Sequence, residues 1–458
     1  MCSLRSIAFF LILILVLPIA ALAQDGSRSQ GQHLTHWLNE AARAYHSQDH
    51  EAWVEATTHL HEIRPYNQDF MVHLVKGHAL TGNLSAAFDV MLRMQQQGLA
   101  VDWDEVEEVE SLRPHRLYGH LRDLMNEAGQ PFGGTEVWSR LSNDVVMPEA
   151  MALDRDSSRV FVGTVRNGQI LVSEDDGESW SVFASPDTVA ELQGVFDLVV
   201  DSDRGFLWVA TGRVSHFQGE AREDGVRSSL LRLDLSTGKL DAEFPLSSGG
   251  GRNMLGGLVV AEDGTVFASD AMAPLIYRLG SDEEVLQPYF GHQNFTSLRG
   301  LALGEDDRLL YIADYELGIF AIDATGSEQA WKLAVPENLN VGGIDGLYYW
   351  DGHLVAIQNA ISPQRVLRLE LGDDGLGVTA VAPIAAARAE FDTPTFGVMD
   401  GQVLYFLAGS HWQHVDQHGE PTSSLPEVPI LSIDVADARI RVVGQEALEQ
   451  LQRQRDGQ

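Results

Sequence analysis

"NVGGIDGLYYWDGHLVAIQN", residues 340–359, is the stretch from which the fold is read. Apolar positions alternate at Leu347 and Tyr349, Asp351-Gly352 marks a turn, and Leu354, Ala356 and Gln358 return. That is the pattern of a β-hairpin. Asp345 breaks it. A carboxylate just ahead of a buried strand is costly unless something pairs with it.

The same unit recurs six times. Inner strands open at "EAMALD" (149–154), "FDLVVD" (196–201), "GGLVVAEDG" (256–264), "RGLALGEDD" (299–307), "DGLYYWDG" (345–352) and "FGVMDG" (396–401). A turn and a second strand follow each, as in "VFVGTV", "LWVATG" and "LLYIADY", and most units add a third strand. The openings are 47, 60, 43, 46 and 51 residues apart, which leaves room for four short strands per unit. A four-stranded sheet has two apolar faces to cover, and radial stacking covers both. The expectation is a mainly β protein, a six-bladed β-propeller, with a pair of β-sandwiches as the competing arrangement. "EVWSRL" (136–141) is expected to pair with the last unit and close the ring.

Ahead of the propeller, residues 33–128 follow a helical pattern. Gln48, Trp53, Leu60 and Pro65 recur in kind as Gly82, Ala87, Met94 and Leu99, a 34-residue period that resembles tetratricopeptide repeats. About two repeats are too few to stand alone, so these helices are expected to lean on the propeller rather than to offer a peptide groove. Ten of the sixteen histidines fall here without other ligand types around them, which favours packing or solvation over metal.

The chain opens "MCSLRSIAFFLILILVLPIAALAQDG": a basic start, a short apolar run and Ala21-Leu22-Ala23, the form of a signal peptide cut after Ala23. The expected division is a signal peptide (1–23), a helical tetratricopeptide-like domain (24–130), the propeller (131–445) and a polar tail (446–458). Export to a periplasm or to the medium follows, with no membrane span after cleavage. Cys2, the only cysteine, lies inside the signal, so the mature chain has no thiol nucleophile, cysteine metal site or disulfide. Net charge is −35, and loss of Arg5 takes it to −36. Such a field argues against nucleic-acid partners.

Aligning the units places Glu149, Phe196, Gly256, Arg299, Asp345 and Phe396 at the strand starts, with Asp197 and Thr395 beside them. In a propeller these starts converge on the channel. Glu149, Asp197, Arg299 and Asp345 are therefore the candidate ligand-binding residues.

"MPEAMALDRDSSRVFVGT", "LGGLVVAEDGTVFASD" and "LRGLALGEDDRLLYIADY" resemble the gluconolactonase, senescence-marker-protein and luciferin-regenerating-enzyme group of six-bladed propellers, over most of residues 145–410. The resemblance implies a divalent cation, often calcium, and hydrolysis of lactones or esters. It makes Glu149 and Asp345 metal ligands. Gly256 and Arg299 stand where the group's pattern has asparagines. Asparagine offers a neutral oxygen to a hard cation, whereas arginine has no acceptor and brings its own charge. The trio of Glu149, Arg299 and Asp345 thus reads as a metal site, a ligand site in which Arg299 takes an acidic group, or an ion cluster that sets blade register.

Other signals are weaker. "SEDDGESW" (173–180) fits an Asp-box, a hairpin-turn motif. The long insertion 213–229 either covers the channel mouth or is a surface excursion. Asp270, Asp314 and Gln358-Asn359 end second strands, where capping is the favoured role. His411, His414 and His418 in "HWQHVDQH" are expected at the surface, the first two on opposite strand faces. Two functions follow: an exported binding or interaction protein with a small-molecule or protein partner, or a metal-dependent lactone or ester hydrolase.

Overall fold

The computed structural model describes residues 26–246, 253–292, 295–326 and 329–437, with side chains from 33 onward. The signal peptide and the polar tail read from the sequence lie outside the described residues.

The protein is a six-bladed β-propeller preceded by helices. Six four-stranded sheets follow one another around a ring, all antiparallel. Five are built from consecutive strands. The sixth takes three strands from 397–434 and its outermost from Glu136–Leu141, which pairs with Val428–Asp434. Closure therefore joins the two ends of the propeller chain, as the sequence pattern led us to expect.

The core is divided among the seams between blades. Ala150, Phe161, Val195 and Leu231 fill the seam of blades one and two. Ile344, Leu354, Ala313 and Tyr311 fill that of blades four and five. Each buried Val, Leu, Ile or Phe side chain among these contributes about 1.5–3 kcal/mol relative to exposure.

The Asp-box fastens the closing strand. Asp175 accepts from the Ser179 backbone N–H and hydroxyl, and the Gly177 N–H donates to Ser173 Oγ. Across the seam, Trp138 Nε1 donates to Asp176 at 3.0 Å and Ser139 Oγ donates to the Gly177 carbonyl at 2.6 Å.

The helices are α1 (Gly26–Ser47), α2 (His50–Ile63), α3 (Gln68–Leu80), α4 (Leu84–Gln96) and α5 (Arg116–Ala128). Asp49, Asn67 and Asn83 cap α2, α3 and α4 through their side-chain oxygens. Gln48 and Gly82, one repeat apart, both take left-handed φ, 59° and 72°. Ala87 is fully buried where α4 packs.

These helices dock on the blade-five loop that follows His353–Gln358. Ile361 of that loop is buried among Trp103, Leu112 and Met125 of the helical layer. The Ala100 N–H donates to the Ser362 carbonyl and the Ser362 N–H to Gln68 Oε1, both at 2.7 Å. Arg365, buried, donates to the Gln97 carbonyl at the C-terminus of α4 and to Gln358 Oε1. The negative end of α4 is a favourable place for that charge.

Candidate site at the channel mouth

A β-bulge builds the ring. In blades one to five the inner strand carries one extra residue against its partner, in the steps Pro148 to Ala150, Val195 to Asp197, Leu255 to Leu258, Leu298 to Leu301 and Ile344 to Gly346. A bulge re-aims a side chain that would otherwise follow the pleat. The residues in these steps include Glu149, Phe196, Gly256, Arg299 and Asp345. Phe396 stands just before the matching strand of blade six.

Arg299 Nε lies 3.6 Å from Asp345 Oδ1, close enough to attract and too long for a hydrogen bond. That Nε is buried without a hydrogen-bond partner, and the guanidinium lies over the Tyr315 ring at 5.4 Å. Asn359 Nδ2 donates to Asp345 Oδ2 at 2.5 Å, and Tyr315 donates its hydroxyl to Asn359 Oδ1 at 2.7 Å. Trp412 Nε1 donates to Glu149 Oε2 at 2.8 Å.

Burial, then the charge of Asp345, pushes the Glu149 carboxyl up to about 8, against the Trp412 bond and Arg299. The neutral form of Glu149 is favoured by this burial. Burial likewise raises the Tyr315 hydroxyl, with Asp345 adding to it.

Asp197 has a different place. It sits one residue past its bulge, where the other blades carry Ala150, Gly257, Gly300, Gly346 and Gly397. A Cβ on Gly257 would meet the Arg299 carbonyl at 2.5 Å, and one on Gly300 the Leu347 nitrogen at 2.6 Å, so this row is small where blades approach. Asp197 bridges instead. Its carboxylate accepts the Leu198 N–H at 2.8 Å and the blade-three Leu258 N–H at 2.7 Å. Burial raises it to about 7 against those two bonds. It also lines a cavity of about 230 Å³ with Tyr348, Phe396 and Leu198 along the inner strands.

Other expectations resolve differently. Asp270 and Asp314 cap, accepting backbone N–H groups of Met272 and Ala273, and of Glu316 and Leu317. Asn359 does both, its Nδ2 donating to the Pro394 carbonyl at 2.9 Å as well as to Asp345. His411 is buried, not exposed: its Nδ1 accepts from the Met147 N–H and its Nε2 bonds the Pro426 carbonyl. The segment is a turn, not a strand, so His411 and His414 are not set on opposite faces. His414 reaches Asp392 at 2.6 Å. The insertion meets this turn, His216 lying edge-on to Trp412 at 4.9 Å.

Sequence reading missed Trp412 and Tyr315. Trp412 lies inside the histidine-rich stretch, and its signal was the long interval after the second strand of the sixth unit, a loop of residues 408–427 on the face where inner strands begin.

A divalent cation does not fit this arrangement. Calcium takes six to eight oxygens. Here Glu149 and Asp345 share the mouth with a guanidinium, and Gly256 has no donor. Among the described residues no group of three or more His, Cys, Asp or Glu is placed to hold a metal.

No protein-family profile matches the chain. No curated protein matches it in sequence. Solved structures resemble it at low identity. The PQQ-bound aldose sugar dehydrogenase of Streptomyces coelicolor is 13% identical with a TM-score of 0.46, over 67% of this chain and 99% of that one. The calcium-binding protein regucalcin of Agrobacterium tumefaciens C58 is 14% identical with a TM-score of 0.46, over 65% and 94%. A luciferin-regenerating enzyme is 14% identical with a TM-score of 0.46, over 66% and 95%.

Proposed function

We propose that the protein is an exported binding protein whose channel mouth takes a small ligand with an acidic group on Arg299, flanked by Asp345, Asn359 and Glu149. The observation that carries this reading is the part-exposed Arg299 guanidinium beside Asp345, its buried Nε without a hydrogen-bond partner. A carboxylate would form charge-assisted bonds to it. Repulsion between the guanidinium and a divalent ion about 4–5 Å away is worth several kcal/mol at an effective dielectric near 20. The competing reading, a divalent-metal-dependent lactone or ester hydrolase, draws on the shared location of Glu149 and Asp345.

Thermal unfolding separates the two. The mature protein is prepared in chelator and titrated with calcium, magnesium, manganese and zinc, and in parallel with mono-, di- and tricarboxylates. A native-state ligand at a hundredfold its Kd stabilises by about 2.7 kcal/mol. The expected result is a saturable rise in Tm with a carboxylate, lost in Arg299→Gln. A saturable rise with one metal ion, lost in Asp345→Ala, overturns the proposal in favour of the hydrolase. Analysis of the N-terminus in envelope and medium fractions tests export.

A further inference from the structure

Acidic residues outnumber basic ones 66 to 31, so an arginine left open in this protein has to be kept open. Arg299 is such a residue. Its side chain is 35% exposed, its Nε has no hydrogen-bond partner, and Asp345 stays at 3.6 Å.

Besides Asp345 and Glu149, the carboxylate of Glu316 lies within electrostatic reach of it. This residue follows Tyr315, whose ring already lies under the Arg299 guanidinium. Two cations act on the Glu316 carboxyl, Arg64 more strongly than Arg299. Arg64 belongs to the helical layer. It ends α2, is itself largely buried, and sets its Nε 3.5 Å from Glu316 Oε2.

The turn that carries Arg64 is locked onto the propeller. Asn340 Nδ2 donates to the Tyr66 carbonyl at 3.0 Å. Tyr66 packs so closely that a Cβ on Gly342 would meet it at 2.5 Å and one on Gly318 at 3.1 Å. The Gly343 N–H, two residues before Asp345, donates to the Tyr315 carbonyl at 2.7 Å. Helical turn, Tyr315-Glu316 and the approach to Asp345 are thus one packed unit.

We propose that Arg64 holds Glu316 away from Arg299, so that the docked helical layer keeps the channel's cation open to an acidic ligand. This rests on the reading of Arg299 as the ligand-binding residue. Arg64 is a positioning residue, acting through Glu316 without touching the ligand. When the α2–α3 turn lifts, Glu316 loses Arg64, the stronger of the two cations, Arg299 remains, and the site closes on itself.

The test needs no ligand. Native protein is labelled with phenylglyoxal, and the rate at each arginine is read by peptide mass spectrometry. In Arg64→Gln, labelling of Arg299 is expected to slow about fivefold, the weight of one exposed ion pair. Arg64→Lys keeps the wild-type rate, and Glu316→Gln added to Arg64→Gln restores it. Arg308, exposed and at the opposite end of the same blade, serves as the control within each sample. An Arg299 rate equal in wild type and Arg64→Gln overturns the proposal, as does slowing that Glu316→Gln fails to relieve. If the Arg64 effect holds while no carboxylate protects Arg299 in the wild type, the positioning role stands and the ligand reading falls.

Discussion

Glu149 and Arg299 set the character of the mouth. Glu149 has a folded-state pKa of about 8 against an ordinary 4.5, because burial and Asp345 disfavour its charge. Below about pH 4.5 both folded and unfolded chains hold the proton, and the burial costs nothing extra. As pH rises from there to about 8, the unfolded chain releases a proton that the folded one keeps, so stability falls by up to about 1.4 kcal/mol per pH unit. Glu149→Gln cannot ionise and is expected to flatten this part of the profile, measured by urea unfolding at a series of pH values. Asp197, raised from 3.8 to about 7, adds a second slope over a lower window. Arg299→Asn combined with Gly256→Asn should create calcium affinity. The Gly256 site has room, since a Cβ there meets Ala271 Cβ at an ordinary 3.4 Å. Calorimetric titration showing no heat of calcium binding in that double variant would count against the reading of the ring.

Two elements hold the parts together. The Asp-box hairpin clamps the closing strand, and its turn depends on Gly177, which has φ +82° and would bring a Cβ to 2.9 Å from both Ser139 and Trp138. Gly177→Ala is expected to cost about 2 kcal/mol, part backbone strain and part overpacking. Denaturant unfolding reads the loss, and a midpoint unchanged from wild type would remove the clamp from the account. The blade-five loop is the second element. Arg365 satisfies the Gln97 carbonyl and Gln358 with a charge that burial alone lowers to about 10. Arg365→Met keeps the bulk and strands those acceptors, at about 1–3 kcal/mol each. Limited proteolysis is expected to cut near residues 97–100 faster in this variant, with the propeller left intact.

Across the molecule, the polar ring, the insertion loop, the Trp412 turn and the helical layer all gather on the face where the inner strands begin. No helix among the described residues is long and apolar enough to cross a membrane. The face carries the long connections because only there do the second-to-third strand loops lengthen, from 213–227 in blade two to 408–427 in blade six. Ring closure brings blades one, four and five around one axis, so Glu149 comes to feel Arg299 and Asp345 though 150 and 196 residues separate them.

Six blades, their inner strands, the closing strand and the Asp-box turn were legible in the chain because they rest on local patterns. Period-two alternation, Asp-Gly turns and a repeated strand opening each report on a few neighbouring residues. The same repeats put Glu149, Arg299 and Asp345 at equivalent positions, and with them the ring. Contacts beyond that repeat were not legible. Trp412 on Glu149, Asn359 on Asp345, Asp197 bonded to the next blade and Arg64 on Glu316 come from loops, a seam and a separate layer. No period relates these residues. Which of them meet is decided by how a bulged strand turns its side chain, how the ring closes and where the helices dock, and those are properties of the packed chain.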